Sequence, residues 1–149
     1  MDLQFEFQIE AQLKPPVQFG AGPIGSRVFY EVVGGAVRGK RLSAKLLPGG
    51  GDWLLFGPDG YARLDLRFQF LTHDNTSIYA ISPGLLELNE KVVQASAAGI
   101  GTEYGDQYFR IAPRFETGEP RYSWLNQYLF AGEGRLIPGG VEYKVYRLT

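Results

Sequence analysis

The sequence predicts a mainly β protein, a single-domain antiparallel β-barrel over residues 1–149 with one helix covering a barrel end or wall. Three observations carry that reading. Residues 1–13, MDLQFEFQIEAQL, alternate polar and apolar side chains with a period of two, the spacing at which successive strand residues face opposite ways. The chain holds 20 glycines and 9 prolines among 149 residues, a composition that favours many turns over many helices. Between Tyr108 and Gly134, aromatics alternate with charged and amide side chains, so that Tyr122, Trp124, Asn126, Tyr128 and Phe130 share one face and Ser123, Leu125, Gln127 and Leu129 the other. A strand greasy on both faces fits a barrel wall with a covered exterior better than a one-sided sheet.

Taken in order, Leu3, Phe5, Phe7, Ile9, Ala11 and Leu13 face one way along a first, half-exposed strand. A loop is expected from Pro15 to Ser26, then a β-rich run from Arg27 to Val33. Gly34-Gly35 permits a turn or bulge, and Ala36 to Leu47 returns as the next strand. Pro48-Gly49-Gly50-Gly51 breaks the ladder. Asp52–Phe56 and Tyr61–Leu71 flank Gly57-Pro58-Asp59-Gly60, whose residues suit a tight hairpin connection. Asp74-Asn75 marks another turn, leading to a strand at Ser77–Ile81. Ser82-Pro83 reads as an N-cap followed by proline at the first helical position, and Leu85–Ala98 lacks breakers until Gly99, a suitable C′ residue. Three further strands are expected at Gln107–Phe115, Tyr122–Gly134 and Val141–Leu148.

Composition excludes several function classes. Fifteen basic against sixteen acidic residues give a formal charge of -1, which supplies no field to draw nucleic acid or an anionic membrane. Neither is expected as a partner. The absence of cysteine removes disulfides, thiolate chemistry and cysteine-ligated zinc. His73 is the single histidine and sits in a turn, THDNT, so no metal site is expected. Pro48-Gly49-Gly50-Gly51 lacks the lysine and following helix of a phosphate loop, and Gly20-Ala21-Gly22-Pro23-Ile24-Gly25 lacks the strand-turn-helix context of a dinucleotide fingerprint. No cofactor is expected. The amphipathic start reads as a strand rather than a signal peptide, which makes a cytoplasmic location the default.

If the hairpin loop holds an even number of residues, Phe56 opposes Tyr61 and Asp52 opposes Asp65. Asp52, Asp65 and Arg67 then share the pocket face, with Leu64, Leu66 and Phe68 behind them. One extra loop residue undoes this grouping, and whether Tyr79 joins it depends on the length of the turn at residues 73–77. Such a trio suits proton transfer, because like-charge repulsion and an arginine separate two carboxyl pKa values; a structural salt bridge between strands is the competing reading. Arg110 is a candidate clamp for a substrate carboxylate. Trp53, Tyr108, Tyr122 and Trp124 are candidate aromatic walls, with Asn126 orienting a carbonyl or hydroxyl.

The spacing of PGGGDW at Pro48–Trp53, LDLRF at Leu64–Phe68, YFRIAPRFETG at Tyr108–Gly118 and YSWLNQYLFAGEG at Tyr122–Gly134 resembles the domain of unknown function 3237 family, also called uncharacterised protein family 0311. The resemblance covers nearly the whole chain. It implies an antiparallel β-barrel with one helix and names no activity, since one fold hosts many functions.

Two function classes follow for a small-molecule ligand or substrate. One is a cofactor-independent isomerase, hydratase or cyclase acting on a small apolar or aromatic metabolite, with Asp52, Asp65 and Arg67 catalytic. The other is a non-catalytic lipocalin-like carrier. A homo-oligomer formed through an outer apolar face that includes Leu64, Leu66 and Phe68 is a third expectation.

Overall fold

A computed structural model describes all residues from Met1 to Thr149. Its strands are β1 (Leu3–Leu13), β2 (Val17–Gly22), β3 (Gly25–Gly39), β4 (Ser43–Leu46), β5 (Gly51–Phe56), β6 (Tyr61–Thr72), β7 (Ser77–Glu87), β8 (Phe109–Ile111), β9 (Arg114–Glu116), β10 (Phe130–Ile137) and β11 (Gly140–Leu148). The helices are α1 (Glu90–Ala98), a 3-10 turn at Pro120–Tyr122, and the single-turn α2 (Trp124–Gln127). Every strand pairing is antiparallel, and the ring closes as an eight-stranded barrel when β1 pairs with both β3 and β11. Two positions in the ring are each filled by two short strands laid end to end. β4 and β5 share the place between β3 and β6, and β8 and β9 share the flank of β7. No helix is long and apolar enough to cross a membrane.

The period of two in β1 puts Phe7, Ile9 and Ala11 inside, at or near zero exposure. From β6 come Ala62, Leu64, Leu66, Phe68 and Phe70, and from β11 Tyr143 and Val145. One end of the interior is filled by aromatic rings: Phe7, Phe70 and Phe130 all pack on Phe115 at centroid distances of 5.2–5.9 Å, with Trp124 against Phe7 and Phe130. Edge-to-face and tilted contacts of this kind each add about 0.5–1.5 kcal/mol beyond the area they bury. At the opposite end α1 lies across the opening, burying Val92 and Ala95. Asn89 caps it by accepting the Val92 N–H, and Gly99 ends it in the left-handed conformation (φ 66°) with its N–H on the Ala95 carbonyl.

Several boundaries differ from the expected ones. Within Pro15–Ser26 the chain forms β2, which continues beyond β1 after Pro15-Pro16 and pairs with β3 alone. Gly34-Gly35 does not reverse the chain. β3 runs through it with a bulge opposite Gln12 and Leu13, and Gly35 (φ 147°) lies so close to the Glu10 carbonyl that a Cβ would overlap it. Ser82-Pro83 does not start a helix: β7 continues to Glu87, and α1 begins at Glu90. The reason is positional. The Pro83 carbonyl accepts the Ala112 N–H, and because a strand residue's N and C=O point the same way, the missing donor of Pro83 faces the break between β8 and β9, where no ladder bond is lost. That break, at Ala112-Pro113, also divides the expected Gln107–Phe115 strand. Pro120 starts a helical turn instead of a strand, so Tyr122–Gln127 lies in the 3-10 turn and α2, and β10 begins only at Phe130.

Candidate functional site

β5 and β6 fix the chemistry of the interior through their register. Their loop carries one residue more than the even hairpin required: Gly57 donates its N–H to the Tyr61 carbonyl, Phe56 opposes Ala62, and Asp52 opposes Leu66. That single residue turns Asp65 and Arg67 to the outer, exposed face and sends Leu64, Leu66 and Phe68 inside. The expected trio of Asp52, Asp65 and Arg67 on one face is therefore not formed. The same register removes Leu64, Leu66 and Phe68 from any outer association surface.

Asp52 alone of the three points inward, and it is 7% exposed. It lines an internal cavity of about 820 Å³ whose walls are almost entirely hydrocarbon. Leu54 and Phe56 of β5, Leu64, Leu66 and Phe68 of β6, Leu86 of β7, Phe109 of β8 and Leu136 of β10 supply the wall, while Val92, Ala95 and Ile100 of α1 and the turn after it form the cover. The polar exceptions facing this space are the buried Asp52 and Tyr143 and the half-buried Tyr30; Lys14, bound to Glu31 at 2.6 Å, stands exposed at the rim. Tyr30 is the cross-strand partner of Asp52 on β3, so the two side chains lie side by side. Tyr143 comes from β11, fully buried, with its ring edge against Phe109 at 5.3 Å. Gly134 makes room for that pair, since a Cβ there would stand 2.8–3.0 Å from the Phe109 ring.

The electrostatics follow from this burial. Loss of solvent pushes the Asp52 carboxyl up to about 7, opposed by the Asp65 N–H that donates to its Oδ1 at 2.9 Å; the Asp65 charge adds to the rise and Arg27 counters it. Arg27 is held nearby by donating to the Trp53 carbonyl at 2.9 Å. Burial also raises both tyrosines, and the charge of Asp52 raises them further. An acid poised near neutrality, in one cavity with two tyrosines whose titration is pushed upward, can accept or return a proton near pH 7.

The other residues singled out in the sequence lie elsewhere. Trp53 faces outward, 37% exposed, stacked on Phe29 at 4.3 Å. Tyr108 and Arg110 are exposed on the outer wall, with the Arg110 guanidinium 5.0 Å from the Tyr108 ring centroid. Tyr122 is buried at the aromatic end and donates its hydroxyl to Asp74 at 3.1 Å. Trp124 packs among Phe7, Phe130 and Arg41. Asn126 braces the loop before it, accepting the Thr117 N–H at 2.9 Å and donating to the Thr117 carbonyl at 2.8 Å. Asn126 and Arg67 also line a wide outer groove with Tyr79, Arg114, Glu116 and Tyr128. The four-residue turn after Thr72 sets Tyr79 there, where its hydroxyl accepts from Arg67 at 2.8 Å. That groove is open to solvent and contains no buried ionisable group, which separates it from the interior cavity.

Sequence reasoning missed Tyr30 and Tyr143. The signal was available, because Val28-Phe29-Tyr30-Glu31-Val32 and Val141-Glu142-Tyr143-Lys144-Val145 both place the tyrosine on the apolar side of an alternating run. No cluster of three or more His, Asp or Glu residues suited to a metal ion is formed.

Fold and site together define a closed antiparallel β-barrel with an apolar cavity, a helical cover and one carboxyl buried in the cavity wall. The chain belongs to the family described as protein of unknown function (DUF3237), whose model matches residues 1–148. It is 29% identical over 150 residues to a UPF0311 protein of Clostridium acetobutylicum, spanning 100% of this chain and 95% of that one. A conserved protein of unknown function from Rhodopseudomonas palustris has a crystal structure similar to this one, with a TM-score of 0.90 at 28% identity over 99% of this chain and 97% of that chain. The PR-toxin biosynthesis cluster protein 7 of Penicillium roqueforti is 30% identical over 155 residues, covering 87% of this chain and 80% of that protein.

Proposed function

We propose that this protein is a cofactor-independent enzyme that binds a small apolar or aromatic metabolite inside the barrel and moves a proton on it with Asp52. The observation that carries this reading is a single carboxyl, raised to about 7, beside two tyrosines in a cavity otherwise walled mainly by hydrocarbon. A structural carboxylate is normally paired with a cation; Asp52 instead accepts one backbone N–H and stands where a ligand would lie. Proton removal and return at neighbouring atoms are the common step of isomerisation, dehydration and cyclisation, and each needs only a base that can become an acid. The likeness to a biosynthesis-cluster protein supports a metabolite as substrate. A cavity of about 820 Å³ lies in the range that holds a drug-sized small molecule.

The apolar lining favours a second reading, a lipocalin-like carrier that holds a hydrophobic ligand unchanged. A thermal-shift screen of small apolar metabolites against the wild type and Asp52→Asn separates the two, since a ligand of the native state raises apparent stability. Ligands that the wild type converts and Asp52→Asn does not, as read by mass spectrometry, establish the enzyme. Ligands bound equally by both and recovered intact establish the carrier.

A further inference from the structure

We infer that the cavity is built for an enolisable carbonyl compound, the hydroxyls of Tyr143 and Tyr30 donating to its carbonyl oxygen while Asp52 carries the proton. The inference rests on the reading of Asp52 as proton carrier and narrows its substrate class.

The three polar groups divide the work by their chemistry. The Asp65 N–H holds Asp52 Oδ1, which fixes the carboxyl on the cavity wall and leaves Oδ2 without a protein hydrogen bond. Tyr30 lies beside Asp52 as its cross-strand partner, and Tyr143 projects into the same space from across the barrel. Burial and the neighbouring carboxylate keep both phenols protonated, so they remain donors throughout the range in which Asp52 titrates. A ligand with no oxygen leaves those donors unanswered in hydrocarbon, at a cost. A ligand carboxylate sits against Asp52 with like charge. A ligand with one carbonyl on an apolar frame satisfies the donors and presents its α C–H to the carboxylate.

The step balances. Asp52 takes the α proton as the C–H bond breaks and an O–H bond forms. The C–H electron pair becomes the C=C bond, and the C=O π pair moves to oxygen, where two O–H groups in a water-poor site stabilise the charge that develops. Returning the proton from Asp52 to the same or a conjugated carbon completes the exchange or isomerisation with no other reactant.

Three bicyclic probes of one size test this: 2-tetralone, tetralin without the oxygen, and the cation 2-aminotetralin. Proton NMR in D2O should show wild-type protein accelerating exchange at C1 of 2-tetralone at least tenfold over buffer, with 2-tetralone bound more tightly than tetralin. Asp52→Asn should remove the acceleration. Tyr143→Phe should lower it at least tenfold and erase the preference for 2-tetralone, while tetralin binding, retained in both variants, shows the cavity intact. Equal affinity for tetralin and 2-tetralone without exchange overturns the carbonyl assignment and leaves the cavity and the carrier reading in place. Preference for 2-aminotetralin overturns it in favour of a cation site. Exchange as fast in Asp52→Asn as in the wild type overturns Asp52 as proton carrier, here and in the broader enzyme reading alike.

Discussion

Asp52 Oδ1 accepts the main-chain N–H of Asp65 at 2.9 Å, although the two carboxyls stand on opposite faces of the barrel wall. The contact lets the outer strand backbone steady an inner acid without bringing a second side chain into the cavity. The N–H itself lowers Asp52, while the Asp65 charge, acting separately across the wall, is one of the causes that raise it.

Asp52→Asn is expected to stabilise the protein at alkaline pH. The folded-state value, about 7, lies above the ordinary 3.8, so between these values the native state keeps a proton that the unfolded chain has released. Stability from this group is therefore greatest below about 4, falls as pH rises to about 7 and is flat above, a total of about 4 kcal/mol at most. Thermal unfolding should show the variant gaining on the wild type at pH 8 and losing that advantage at pH 4. A pH-independent difference contradicts the ionisation assigned to Asp52.

Arg67→Ala and Asp65→Asn should leave ligand binding in the cavity unchanged, because both side chains face solvent. Asp65→Asn retains the N–H that holds Asp52 and removes a like charge, so any pH profile governed by Asp52 should move to lower pH. Loss of binding in either variant, or a profile moved upward, counts against the register described.

Glu6 occupies the bulge of β1 with its side chain 4% exposed, bonded to Arg41 at 2.7 Å and Arg147 at 2.8 Å. Glu6→Ala should cost about 2–3 kcal/mol, below the range for a fully buried pair because both arginines still reach water. Urea denaturation measures it; a change under about 0.5 kcal/mol would place the network among ordinary surface pairs.

For Trp124→Ala a loss of about 2–3 kcal/mol is expected in the same assay, short of the 3–5 kcal/mol typical of a wholly enclosed aromatic. The indole is half-buried, and it carries the Arg41 guanidinium 3.8 Å from its centroid as well as its contacts with Phe7 and Phe130. Unchanged stability would mean that the aromatic end of the barrel does not depend on it.

The barrel was legible in the sequence because alternation is a local signal. β1, β11 and the Gly99 helix stop all lie where their residues put them. Register was not legible, because it depends on counting loop residues whose hydrogen bonds form only in the folded hairpin. One such residue at Gly57–Tyr61 separated Asp52 from Asp65 and Arg67. The run Tyr122–Phe130 misled for a different reason: its alternating aromatics have strand spacing, but Pro120 starts a helical turn and Asn126 ties it to Thr117, so tertiary packing sets the conformation. Pro83 misled likewise, since nothing local announces a gap in a distant neighbouring strand.

The ring of phenylalanines around Phe115 closes the barrel opposite α1, which makes the interior a cul-de-sac. On the enzyme reading proposed above, traffic runs in and out past the helix by one door, so a product departs before the next reactant is admitted. Chemistry confined to such a dead end suits one molecule rearranging by itself, and steady-state kinetics with a single substrate, inhibited competitively by its own product, is the signature to expect.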